Sequence, residues 1–87
     1  MASGKILFFG QIADMAGAPE WPMPEFEGSL GETDFIAMIT VDRPDLKEAL
    51  QARSIRVCVN QNLHPSSAKL AISRNDEVAF LSPMSGG

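Results

Sequence analysis

The residues with the greatest chemical reach in this 87-residue chain stand at its end, where Ser85, Gly86 and Gly87 present a main-chain carboxylate on a stem almost without side chains. A terminal carboxyl group has a pKa of roughly 3.5, so near neutrality it is an oxygen nucleophile toward an activated phosphate. Glycine has no Cβ, and two in succession make an end thin enough to enter a channel that rejects bulkier chains. Adenylation would turn such a carboxylate into an acyl donor. A sulfur nucleophile displacing AMP would then leave a thiocarboxylate, whose sulfur is a better nucleophile than the oxygen it replaces. No catalytic side chain of the chain itself is needed. Two glycines alone also fit a frayed terminus, so the tail has to be read with what precedes it.

Other reactive side chains are few. His64 is the single histidine and precedes Pro65 in a turn-like stretch, which makes a surface turn residue its ordinary reading and leaves a Ser-His-Asp arrangement without support. Cys58 is the single cysteine, which excludes an internal disulfide and a Cys-rich metal centre. A persulfide-bearing nucleophile would need an accessible thiol of lowered pKa, and a mid-strand position promises neither; a small strand residue is the plainer role. Phosphate-binding glycine motifs and metal-ligand spacings are absent, so neither a nucleotide, a cofactor nor a metal is expected on this chain. Eleven Asp and Glu against seven Lys and Arg give a formal charge of −4, which disfavours nucleic acid. Acidic residues gather at Glu25, Glu27, Glu32 and Asp34; a solvated face explains them, and a basic partner surface is the alternative. Without a long apolar stretch or cysteine pairs, a soluble protein of the reducing cytoplasm is expected, with no membrane contact.

The elements that must position the tail follow from pattern. Ile6-Leu7-Phe8-Phe9, closed by Gly10, reads as a buried strand, and Gln11–Ala16 as a short helix with Ile12, Met15 and Ala16 on one side. Glu20 to Phe26 alternates, but Pro22 and Pro24 confine it to an edge. Ser29 and Glu32 have the spacing of a capping box, which predicts a helix from Leu30 that buries Phe35, Ile36, Met38, Ile39 and Val41 and stops before Pro44. Pro44 opens a second short helix with Leu46, Ala49 and Leu50 inward. Strands are expected over Ile55–Asn60, with Arg56, Cys58 and Asn60 on the less buried side, and over Glu77–Leu81. A turn is expected at 64–67, and Leu70-Ala71-Ile72 pairs briefly before a turn at 74–76. The fold class is α+β, a mixed sheet with a helix on one face, and β-grasp is the natural arrangement. One domain spans 1–82, followed by a flexible tail over 83–87.

The block from Asp76 to Gly87, reading DEVAFLSPMSGG, resembles the ending of the small subunit of molybdopterin synthase, a ubiquitin-like β-grasp sulfur carrier. Lys5 to Gln11 is similar to that family's first strand, and Val57 to Gln61 with Leu63 to its third strand and following turn. The resemblance implies that Gly87 is adenylated by an E1-like enzyme using ATP and converted to a thiocarboxylate with sulfur from a sulfur-transfer protein or cysteine desulfurase. It would then donate that sulfur to cyclic pyranopterin monophosphate within the large synthase subunit. The chain would be a non-catalytic small subunit, in a heterotetramer with the large one. Gly86 would keep the tail slim. Phe9, Leu63 and Leu81 would form a hydrophobic docking patch, with Pro83, Met84 and Ser85 threading inward. Core packing is the competing role for these apolar residues, above all for Phe9, because the two phenylalanines of the first strand must face opposite sides. The family's usual arginine after the first strand is replaced by Ala13.

Other functions use the same tail differently. A thiazole-synthesis carrier donates the same sulfur to another acceptor, and a ubiquitin-like modifier joins its glycine to lysines. A noncovalent adaptor would not need Gly87 at all.

Overall fold

The computed structural model describes residues 4–52, 54–64 and 70–82. In chain order they form β1 (Lys5–Phe9), α1 (Gln11–Ala16), β2 (Glu20–Pro22), β3 (Ser29–Leu30), α2 (Glu32–Ile39), α3 (Pro44–Leu50), β4 (Arg56–Val59), β5 (Asn62–His64), β6 (Ile72–Ser73) and β7 (Glu77–Leu81). Five strands make one mixed sheet in the order β2-β1-β7-β4-β5, while β3 and β6 pair separately. The most apolar runs, β1 and β7, lie side by side and parallel, with Phe8 opposite Phe80 and Phe9 opposite Leu81. This is the β-grasp arrangement that the patterning predicts. No helix among the described residues is long and apolar enough to cross a membrane.

Alternation decides which residues hold the sheet to its helices. Ile6, Phe8, Val57, Val78 and Phe80 are buried with Phe35, Ile36, Leu46 and Leu50. The aromatic rings run as a chain through this core: Phe80 lies 5.9 Å from Phe8 and 6.4 Å from Phe35, and Phe35 lies 6.4 Å from Phe26. Trp21 meets Phe8 edge-on at 4.8 Å and carries the Arg43 guanidinium 5.1 Å above its ring. Such contacts add about 0.5–1.5 kcal/mol per aromatic pair beyond the area they bury.

The edge at β2 is built as the prolines require. The Phe8 amide donates to the Pro19 carbonyl at 2.8 Å, which sets the antiparallel alternation so that Trp21, opposite Ile6, bonds to β1. Pro22 then falls where an amide would point away from the sheet, so its missing donor costs the ladder nothing and blunts the edge.

Several local expectations are corrected. Ser29 and Leu30 are in β3, opposite Ser73 and Ile72, and α2 begins at Glu32 after Gly31 with no side-chain cap. The capping box fails because pairing with Ile72 holds Leu30 extended. Glu32 instead sits half-buried in the first turn, and burial raises its carboxyl pKa. At the other end α2 stops at Ile39: buried Thr40 donates its hydroxyl to the Ile36 carbonyl at 2.6 Å, and the chain turns there. Val41 is left 79% exposed, outside the core rather than in it. Met15 is also exposed, because α1 is short enough to bury only Ile12 and Ala16. His64 ends a strand, β5, that pattern did not reveal, and the turn preceding it lies at Asn60 and Gln61; residues 65–67 lie outside the described residues.

Candidate functional site

The face of the sheet turned away from the helices carries the candidate site, and strand register arranges it in rows. One row runs Leu7–Ala79–Cys58–Leu63 across β1, β7, β4 and β5. The next, nearer the chain end, runs Phe9–Leu81–Arg56. Neighbouring strands are about 4.8 Å apart and same-face residues along a strand about 7 Å apart, so Phe9 and Leu81 continue the apolar surface of the first row, and Arg56 borders it. Phe9 is 49% and Leu63 62% exposed, whereas Leu81, Leu7 and Cys58 are half-buried. A monomer gains nothing by leaving large apolar groups together in water, so this face is the candidate site among the described residues.

Phe9, Leu63 and Leu81 are therefore on one face of the sheet. The ambiguity over the two phenylalanines is settled by alternation, with Phe8 at 1% exposure inside and Phe9 outside. Pattern did not pick out Leu7 and Ala79 as part of this surface; their alternation with the buried Ile6, Phe8, Val78 and Phe80 held the signal, which needs the register to be read. Cys58 sits between Ala79 and Leu63, the small half-buried strand residue that its position suggested. Ala13, at the family's usual arginine position, packs against the core from α1.

Polar groups border the apolar rows on the side away from the chain end. Lys5 lies opposite Glu77, with its ammonium 3.9 Å from the carboxylate. Asn60, at φ 52°, donates from Nδ2 to Asp76 at 3.1 Å and accepts the Glu77 amide at 3.0 Å on Oδ1. Asp76 in turn accepts the Ser73 amide at 2.8 Å. These bonds clamp the start of β7 and so fix its register.

At the far end of β7 the chain is pinned once more before the tail. Both the Ser82 amide, at 3.2 Å, and its hydroxyl, at 3.0 Å, donate to the Phe9 carbonyl. Gly10 makes this possible: its φ is +82°, and a Cβ there would run into the Ser82 hydroxyl. The described chain therefore ends at Ser82, just past Leu81 on the central strand of the sheet and anchored to Phe9 of β1. Pro83, Met84, Ser85, Gly86 and Gly87 lie outside the described residues.

Comparison with known proteins agrees with this geometry. The family model described as the ThiS family matches residues 6–87. The crystal structure of small archaeal modifier protein 1 from Haloferax volcanii superposes with a TM-score of 0.73 at 22% identity, covering 99% of this chain and 100% of that one. The solution structure of small archaeal modifier protein 1 from Methanosarcina acetivorans gives 0.69 at 26% identity, over 100% and 98% of the two chains. A Pyrococcus furiosus protein named as a candidate molybdopterin converting factor, subunit 1, gives 0.67 at 20% identity, over 97% and 100%.

Proposed function

Because this chain belongs to the ThiS family, we propose that it is a sulfur carrier whose reactive group is the Gly87 carboxylate, serving molybdopterin synthesis. The observation that supports this reading is the apolar face: Phe9 and Leu81 lie exposed or half-exposed where the last strand runs on toward the Gly-Gly end, and Leu63 extends the same face two strands away. A partner that covers this face receives the tail at its border, so docking and delivery are one event.

The chemistry then needs only the chain end. A carboxylate oxygen of Gly87 attacks the α-phosphorus of ATP in an E1-like partner, and pyrophosphate leaves. A sulfide equivalent from a sulfur-transfer protein attacks the acyl carbon, and AMP leaves, giving the thiocarboxylate. In the large synthase subunit that sulfur bonds to a carbon of cyclic pyranopterin monophosphate, and water cleaves the resulting thioester, which leaves the sulfur on the acceptor and returns the Gly87 carboxylate. The sheet supplies recognition, Ser82 and Gly10 fix the departure point, and Gly86 keeps the path narrow.

A second reading has one observation in its favour: the Methanosarcina neighbour, similar over the whole chain, is named a modifier protein. One experiment separates the two. The full chain is incubated with ATP, an E1-like enzyme and a sulfur source, then with the large synthase subunit and cyclic pyranopterin monophosphate, and followed by intact mass. Replacement of one oxygen by sulfur, its loss on adding the pyranopterin and no reaction after deletion of Gly87 support the proposal. Lysine adducts without a thiocarboxylate support conjugation, and activity that survives deletion of Gly87 overturns both.

A further inference from the structure

A second apolar concavity lies on the helix side of the sheet, at the opposite edge from Leu63. Ile6, Trp21, Pro22, Pro24, Met38 and Ile39 line a groove of about 310 Å³ between β2 and α2. That is near the small end of ligand-sized pockets, which run from roughly 300 to 1,000 Å³, and it suits one or two apolar side chains. No residue of the outer face lines it.

The charges near it that are free of other contacts among the described residues are acidic. Glu25 follows Pro24 directly, Glu27 follows Phe26, whose ring packs near that of Phe35, and Asp34 is one helical turn before Met38. All three acidic residues are exposed and none is in an ion pair among the described residues; Lys5, which stands opposite Pro22, is paired with Glu77 at 3.9 Å. The cation at the groove, Arg43, is already engaged: it covers the Trp21 ring at 5.1 Å and donates to the Ala16 carbonyl at 3.2 Å. Because Pro22 removes the outward amide of β2, an occupant gains little by adding a strand and must bind through its side chains.

We propose that the groove between β2 and α2 is a second docking site, which takes a short apolar segment flanked by lysine or arginine from a partner protein. Apolar side chains fill the space between Trp21 and Met38, and the basic groups meet Glu25, Glu27 and Asp34. The acidic stretch that pattern alone assigns to a solvated face thereby gains a function that the tail chemistry does not require.

The test titrates the isotope-labelled full chain with the capped peptide Lys-Lys-Leu-Val-Leu-Lys and with its twin carrying glutamate for each lysine. Saturable shifts of the Trp21 indole and Met38 methyl signals are expected with the basic peptide alone, weakening as salt is added. Asp34→Lys and Glu25→Lys together should weaken that binding several-fold while the chain stays folded, the melting temperature falling by no more than a few degrees because Asp34 stands in the first turn of α2. Equal binding of the two peptides, shifts confined to the Phe9–Leu81 face, no saturable shift, or full binding by the double variant would each overturn the proposal.

Discussion

Leu81 stands between Phe9 and Arg56 in the outer row, one residue before the Ser82 anchor. Its side chain is half-buried on a face that the helices do not touch, so its role in the fold and its role in docking can be separated. Leu81→Glu is expected to leave the circular dichroism spectrum unchanged while weakening binding to the large synthase subunit by roughly thirtyfold, the loss of about 2 kcal/mol typical of an interface hot spot. Isothermal titration of wild type and variant checks this, and equal affinities would remove Leu81 from the interface. Phe80, its neighbour, offers no such separation, because it is fully buried between Phe8 and Phe35. Truncating it would cost about 3–5 kcal/mol of stability and say nothing about function.

Among the elements, the β4–β5 hairpin and the turn before β7 are coupled through one residue. Asn60 and Gln61 both have positive φ, the backbone that a two-residue hairpin loop requires and that asparagine tolerates better than most. The same Asn60 side chain bonds Asp76 and the Glu77 amide. Asn60→Ala loses the bonds and strains the loop, whereas Asn60→Gly loses the bonds alone. The alanine variant should therefore be the less stable by about 1 kcal/mol, or roughly 4–8 °C in melting temperature for a domain of this size. Thermal melts of both variants decide it, and equal melting points would show that loop strain is negligible here.

Legibility in the sequence also differed by element. β1, α1, α3 and β7 were readable because each combines a dense apolar run with glycine or proline punctuation at its boundary. β3 and β5 were not, since two or three residues carry no period of their own and exist as strands only because a partner is present, whereas the brief pairing expected at Leu70-Ala71-Ile72 is found one residue on, at Ile72 and Ser73. The capping signal at Ser29 failed for that reason: the Leu30–Ile72 pairing outweighed a local preference worth about 1 kcal/mol.

At the scale of the whole molecule, the sheet separates two surfaces. The outer rows adjoin Ser82, the last described residue, while the groove between β2 and α2 lies behind them, on the helix side. Sites without shared residues on opposite faces should behave additively. Leu81→Glu is expected to bind the basic peptide as wild type does, and the Asp34→Lys, Glu25→Lys variant to form thiocarboxylate at the wild-type rate. Measuring both properties on both variants tests this, and a defect that crosses from one face to the other would show the two to be coupled.

The amino-acid sequence by itself determined the chemistry expected of the chain end and the apolar runs that become the centre of the sheet, because both depend on covalent identity and local period. Only the tertiary structure decided that Phe9 faces out while Phe8 faces in, that Leu7, Ala79, Cys58 and Leu63 form one row, and that Val41 and Met15 remain exposed. Those outcomes depend on register between strands far apart in the chain, where a shift of one residue would turn every side chain to the other face.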